Sequence, residues 1–217
     1  MKRLAITATP AFSPFRTQFT AGTIFTALLC VMTLLVFTRI EIPRLLGMDA
    51  AWSARIKPYE CLLHLHAVCG VVALVTGATQ FSASLRRSRQ RLHRHCGYWY
   101  VATTAAASPL AIWVAMEYTP PAEAMANVAQ ASIWVFTTVA ALVAILSRNP
   151  ATHQTWMARS YALTLTFALT RFVTGILHVG IPADAGGNAT LVWLSTVLVL
   201  LVADSVVSWN SGVRAVD

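Results

Sequence analysis

Charge is scarce in this 217-residue sequence. Asp, Glu, Lys and Arg make up 11% of it, and only eight residues are acidic, where an ordinary soluble domain carries about 25% charge. Apolar residues reach 57% and the mean hydropathy is +0.62, which argues against both a disordered chain and a soluble globular domain. The four cysteines, Cys30, Cys61, Cys69 and Cys96, form no C-x-x-C pair, so neither a disulfide framework nor a zinc ribbon is indicated. Also missing are a glycine-rich nucleotide loop, an H-E-x-x-H helix, a nucleophile elbow and a pair of carboxylates inside an apolar run. Those absences remove the common motifs of hydrolases, nucleotide enzymes and proton relays.

What is present is a series of uncharged runs, at 17–38, 61–85, 95–116, 124–147 and 185–203, with 160–183 interrupted only by Arg171. Each is long enough for the ~20 residues that cross a bilayer as a helix. The sequence therefore predicts an all-α polytopic membrane bundle forming a single domain over 1–217. Its six spans fall near 20–38, 61–84, 96–116, 125–147, 157–180 and 189–208. The first run lacks a small-residue cleavage site and is read as a retained span. Eleven of the sixteen Lys and Arg residues lie on one side of this arrangement, five of them (Arg86, Arg87, Arg89, Arg91 and Arg94) in one loop. By the positive-inside rule both termini are cytoplasmic. The basic charge is thus a matter of topology and of contact with the lipid bilayer, not of nucleic acid.

Polar side chains recur at helical spacing inside the runs, and in lipid such stripes face the bundle. Span 2 aligns His66, Gly70, Ala73, Gly77 and Gln80; His64 is about 200° from His66 around the helix and points elsewhere. Span 3 aligns His93, Gly97, Tyr100, Thr104 and Ser108, followed by Pro109. Span 4 contributes Asn127, Gln130, Trp134 and Thr137 or Thr138, and span 5 Ser160, Thr164, Phe167, Arg171, Thr174 and His178. Four consecutive striped helices suggest a core of spans 2–5 with spans 1 and 6 outside. They would enclose a polar cavity lined by Gly70, Gln80, Gly97, Tyr100, Gln130 and Arg159 together with the histidines.

The combination of His66 with Gly70, Gln80, the cluster Arg86, His93, Arg94, Gly97 and Tyr100, and His153, Trp156, Met157, Arg159, Ser160 and Tyr161 followed by Arg171 resembles a bacterial membrane-protein family known as domain of unknown function 2306. The resemblance spans about residues 60–175. It implies a multi-pass protein of the bacterial inner membrane and supplies no established activity. His64, His95 and His178 are not part of the resembling pattern.

Two histidines on opposing helices, His66 and His93, each with a glycine four residues on, match the way membrane b-type cytochromes hold haem: imidazole binds iron and glycine admits the porphyrin edge. His66, His93 and His153 are therefore the candidate metal ligands for haem b, in a redox protein exchanging electrons with a quinone or a membrane protein partner. His153 and His178 lie 25 residues apart, about 37 Å along a helix, so they cannot both sit within a ~30 Å core. Arg171 is the one charge deep in a span, at a cost of about 2.5–3.5 kcal/mol that some partner must offset. A haem propionate, a quinone carbonyl, a lipid phosphate or Glu60 would serve, since a planar guanidinium suits bidentate contact. The alternatives are an accessory or assembly protein without cofactor, whose stripes serve helix packing, and, less well supported, a transporter or lipid-binding protein.

Overall fold

The computed structural model describes residues 14–180 and 186–214, with side chains described over 24–180 and 186–209. The terminal cations Lys2 and Arg3 lie outside that range. The described residues are helical with no strand. The helices are α1 (Pro14–Val36), α2 (Ile42–Leu45), α3 (Ala50–Ile56), α4 (Glu60–Thr79), α5 (Ala83–Ser88), α6 (Gln90–Tyr118), α7 (Pro121–Leu146), α8 (Pro150–Arg171) and α9 (Gly187–Arg214). Five stretches among them are long and apolar enough to cross a membrane: Ile24–Leu45, Ala50–Thr79, Gln90–Tyr118, Pro121–Leu146 and Gly187–Trp209. Helix α8 has the length of a span but not the apolarity, because Thr152, His153, Gln154, Thr155, Arg159, Ser160, Thr164, Thr166, Thr170 and Arg171 lie along it. Its neighbours explain how so polar a helix is kept: α1, α4, α7 and α9 all pack against it.

The segment expected to end at Thr38 continues. Helix α1 runs through a wide π turn at Phe37–Glu41 into α2, which has Pro43 in its first turn. Proline has no N–H to donate and its ring crowds the preceding turn, and a π turn gives the extra room. A second π turn, Phe172–Ile176, extends α8. The two widened turns touch, and a Cβ on Gly175 would overlap Ile40 Cδ1. The inserted residue also rotates everything after it by about 100°, so His178 leaves the stripe of Ser160, Thr164 and Arg171. It is exposed, outside the helix, with φ of 52°.

The centre of the bundle is where α4, α6, α7 and α8 meet. It combines Ala73, Tyr100, Ala107, Trp134, Ala141, Met157 and Leu163 with buried Thr104, Ser108, Thr138, Ser160 and Thr166. Small residues let helices approach in lipid; the Thr138 and Ser160 hydroxyls bond across helices, while those of Thr104, Ser108 and Thr166 are buried without a hydrogen-bond partner. Helix α9, expected outside the core, lies along both α7 and α8 and buries Ala189, Ser195, Thr196 and Ala203.

Candidate functional site

The stripe residues of α6, α7 and α8 converge on Tyr100. Its side chain is fully buried, and its hydroxyl lies 2.7 Å from Ser160 Oγ, 3.0 Å from Thr164 Oγ1 and 3.4 Å from Trp134 Nε1, which donates to it. Ser160 Oγ is also 2.7 Å from Thr138 Oγ1. A Cβ on Gly77 would fall 2.6 Å from the Tyr161 ring and 2.7 Å from the Tyr100 ring. Where the stripes predicted a cavity wall at Tyr100, the helices are instead joined by packed rings and hydroxyls. Gln130 is half-buried on α7, one turn before Trp134.

One end of the bundle is built from the C-terminus of α4 and the N-termini of α6 and α8. There Gln80 Nε2 donates to the His93 carbonyl at 3.2 Å, and the Gln80 amide fills the notch over Gly97, 3.2 Å from where a Cβ would stand. His93 lies within electrostatic range of Arg86 and His153, and its Nδ1 is buried without a hydrogen-bond partner. Asn149 caps α8 by accepting from Thr152 N at 3.1 Å, and Pro150 fills the first helical position. One turn later His153 Nδ1 donates to the Ala141 carbonyl of α7 at 2.8 Å. A carbonyl can only accept, so Nδ1 holds the hydrogen and, in the neutral ring, Nε2 keeps its lone pair. At the same end Arg159 pairs with Asp204 of α9 at 2.7 Å and stacks on Trp156, with Cζ 4.6 Å from the ring centroid.

His66 stands apart from this pair. Fourteen residues of α4, about 21 Å, separate it from Gln80; its Nδ1 donates to the Ala107 carbonyl of α6 at 2.9 Å, two residues before Pro109. The three candidate histidines thus do not share one site, and among the described residues no group of three or more His, Cys, Asp or Glu is placed to hold a metal ion. Gly70, one turn on from His66, has nothing within 4 Å of its would-be Cβ. His64 faces a shallow surface depression with Glu60, Cys61, Leu65 and Val68.

Arg171 lies about 27 Å along α8 from His153. Its partner is Glu41, at 3.6 Å from Nε, and not Glu60; the π turn of the first span places that carboxylate where the charge-free part of the sequence offered none. Arg44 is 3.9 Å from the same Glu41 oxygen and 3.6 Å from Asp49. Three guanidiniums surround one indole, with the Cζ atoms of Arg44, Arg55 and Arg171 at 4.3, 4.9 and 5.3 Å from the Trp52 ring centroid. Neither this cluster nor the Arg159–Asp204 pair was anticipated from spacing. The signal for the first is the lack of any helix breaker between Thr38 and Pro43, which keeps Glu41 helical.

Comparison with curated proteins and with solved structures gives no match. The family model described as "Predicted membrane protein (DUF2306)" matches residues 63–207, which takes in α4 almost from its start and most of α9. On that match the chain belongs to this membrane-protein family.

Proposed function

We propose that this integral membrane protein is a small redox carrier for haem b, which His93 of α6 and His153 of α8 would hold. The observation carrying this reading is that His93 and His153 lie at the same end of the bundle, within electrostatic range of each other. His153 is oriented by the Ala141 carbonyl so that Nε2 is the atom left to bind, the arrangement usual for metal-bound imidazole. In His93 it is Nδ1 that is buried with no partner, so no carbonyl orients this ring as Ala141 orients His153. The donor set fits a bis-histidine haem in kind, and such a group supplies one-electron transfer when bound. The Gly97 notch holds the Gln80 amide, so the Gln80 side chain must swing aside to admit a porphyrin edge. Arg171 is too far along α8 to hold a propionate of that haem, and His66 is too far along α4 to be its ligand. In this reading the chain sits in a bacterial inner membrane, with the 86–94 loop and both termini cytoplasmic. It exchanges electrons with a quinone or a membrane protein partner.

A second reading, an accessory protein without cofactor, is favoured by the packed hydroxyl centre at Tyr100, where polar groups satisfy one another. Absorption spectra of the detergent-purified protein, oxidised and dithionite-reduced after haem-replete expression, separate the two. The redox reading expects a stoichiometric Soret band that shifts on reduction, disappears in His93→Ala and His153→Ala, and persists in His64→Ala and His66→Ala. A colourless, monodisperse protein overturns it in favour of the accessory reading.

A further inference from the structure

The cluster around Trp52 lies at the opposite end of the bundle from His93 and His153 and belongs to neither reading above. Two of its buried polar atoms make no hydrogen bond. Glu41 Oε1 and Arg44 Nη1 are buried, and neither has a hydrogen-bond partner; their mutual 3.9 Å and the 3.6 Å from Arg171 are ion-pair separations, too long for hydrogen bonds. Asp49 is already occupied in capping α3, accepting from Trp52 N at 2.9 Å. Glu123, also within electrostatic range of Arg171, accepts from Asn188 at 3.4 Å. Three guanidiniums around the indole thus meet two carboxylates in ion-pair contact, leaving donors for one more anionic group.

We propose that Arg44, Arg171 and Trp52 bind a phosphate group, carried by an anionic membrane lipid. Guanidinium forks match phosphate oxygens in geometry and charge, and Trp52 holds the forks in place by stacking. The lipid origin follows from the surroundings. Ile42, Leu45, Leu46 and Met48, on and just after α2, are exposed apolar side chains beside the charged cluster, so acyl chains and headgroup find matching surfaces together. The π turn at Phe37–Glu41 places Glu41 here, and Arg171 ends α8 immediately before the second π turn; such turns are frequent where helices carry function.

The test uses the full-length protein in a maltoside detergent, which contains no phosphate, and follows the thermal unfolding midpoint. Phosphatidylglycerol, diacylglycerol with the same acyl chains, and sodium phosphate are titrated separately. The expected result is a rise in midpoint with phosphatidylglycerol alone. Arg44→Gln should need about tenfold more lipid for the same rise, the loss that one charge-assisted hydrogen bond implies. Arg44→Lys, which keeps the charge and loses the fork, should fall between the two. Arg86→Gln/Arg87→Gln, at the other end, should respond like the unaltered protein. A response to sodium phosphate matching that to the lipid overturns the lipid source and leaves a soluble phosphate as ligand. A response to diacylglycerol equal to that to phosphatidylglycerol, an unchanged lipid response in both Arg44 variants, or no response to any of the three overturns the site.

Discussion

Two glycines of α4, seven residues apart on one stripe, have opposite surroundings. Gly77 lies under the rings of Tyr100 and Tyr161, with would-be Cβ distances of 2.6 to 2.9 Å, whereas Gly70 faces open space. Ring atoms cannot give way as the tip of an aliphatic chain can, and Tyr100 is further held by Ser160, Thr164 and Trp134. Gly77→Ala should therefore lower stability by about 1–3 kcal/mol, the usual cost of overpacking a well-packed core. Gly70→Ala meets no such contact and replaces a poor helix former with the best one; it should be neutral or raise stability by up to about 1 kcal/mol. Denaturant unfolding of both variants in the same detergent checks the pair. Equal losses at the two positions would mean that Tyr100 is not the fixed centre of the bundle. The sequence showed that Gly77 and Tyr100 belong to bundle-facing stripes, because a period of 3.6 residues identifies a face. It could not show that their rings and backbone touch, since that depends on how closely α4 and α6 approach.

At the scale of elements, the α7–α8 connection shows the local rules at work. Helix α7 ends in a Schellman arrangement, with Arg148 N bonded to the Ile145 carbonyl and Asn149 N to the Ala144 carbonyl. Arg148 sits at the left-handed position with φ of 59°, which glycine adopts without cost and arginine does not. Arg148→Gly should stabilise the protein by about 1 kcal/mol, while Asn149→Ala, which removes the α8 cap, should cost about 1 kcal/mol. Both are read from unfolding midpoints. A destabilising Arg148→Gly would indicate that the arginine side chain, not the backbone strain, dominates there. The turn itself was legible from Asn149-Pro150, and so was the existence of most spans, since long uncharged runs permit little else in a membrane. Other boundaries were hidden for definite reasons. Helix α8 begins at Pro150 and not near 157 because its first two turns are polar and leave no hydropathy signal. Glu41 reached Arg171 only through a π turn, and regular 3.6-residue periodicity does not foresee an inserted residue. A second π turn, Phe172–Ile176 after Arg171, removed His178 from the stripe to which simple counting assigned it.

Taken as a whole, the molecule has two chemically different ends separated by the hydroxyl and aromatic centre. One carries His93, His153, the Arg159–Asp204 pair and the five arginines of the 86–94 loop and its flanks; the other carries the Trp52 cluster, in which Arg44 and Arg171 are ion-paired to acidic neighbours. Orientation is expected to follow the Lys and Arg of the short loops. Arg86 and Arg87 lie in the short helix α5, Arg89 between helices, and Arg91 and Arg94 in the first turns of α6, with no acidic residue anywhere in 61–116. The α6–α7 connection at the other end has no cation and contains Glu117 and Glu123 nearby. The positive-inside rule counts Lys and Arg in short loops, so the 86–94 loop should be cytoplasmic and the α6–α7 connection should face the opposite side. Alkaline phosphatase, active only outside the cytoplasm, should give active fusions after Tyr118 and inactive ones after Ser88. Charge is also the lever that tests the cause: replacing Arg86, Arg87, Arg89, Arg91 and Arg94 with Gln should lower the activity contrast between the two fusions. If the contrast survives that replacement unchanged, the cations ahead of the first span, Lys2, Arg3 and Arg16, and those in and after the α7–α8 connection, Arg148 and Arg159, must set the topology instead.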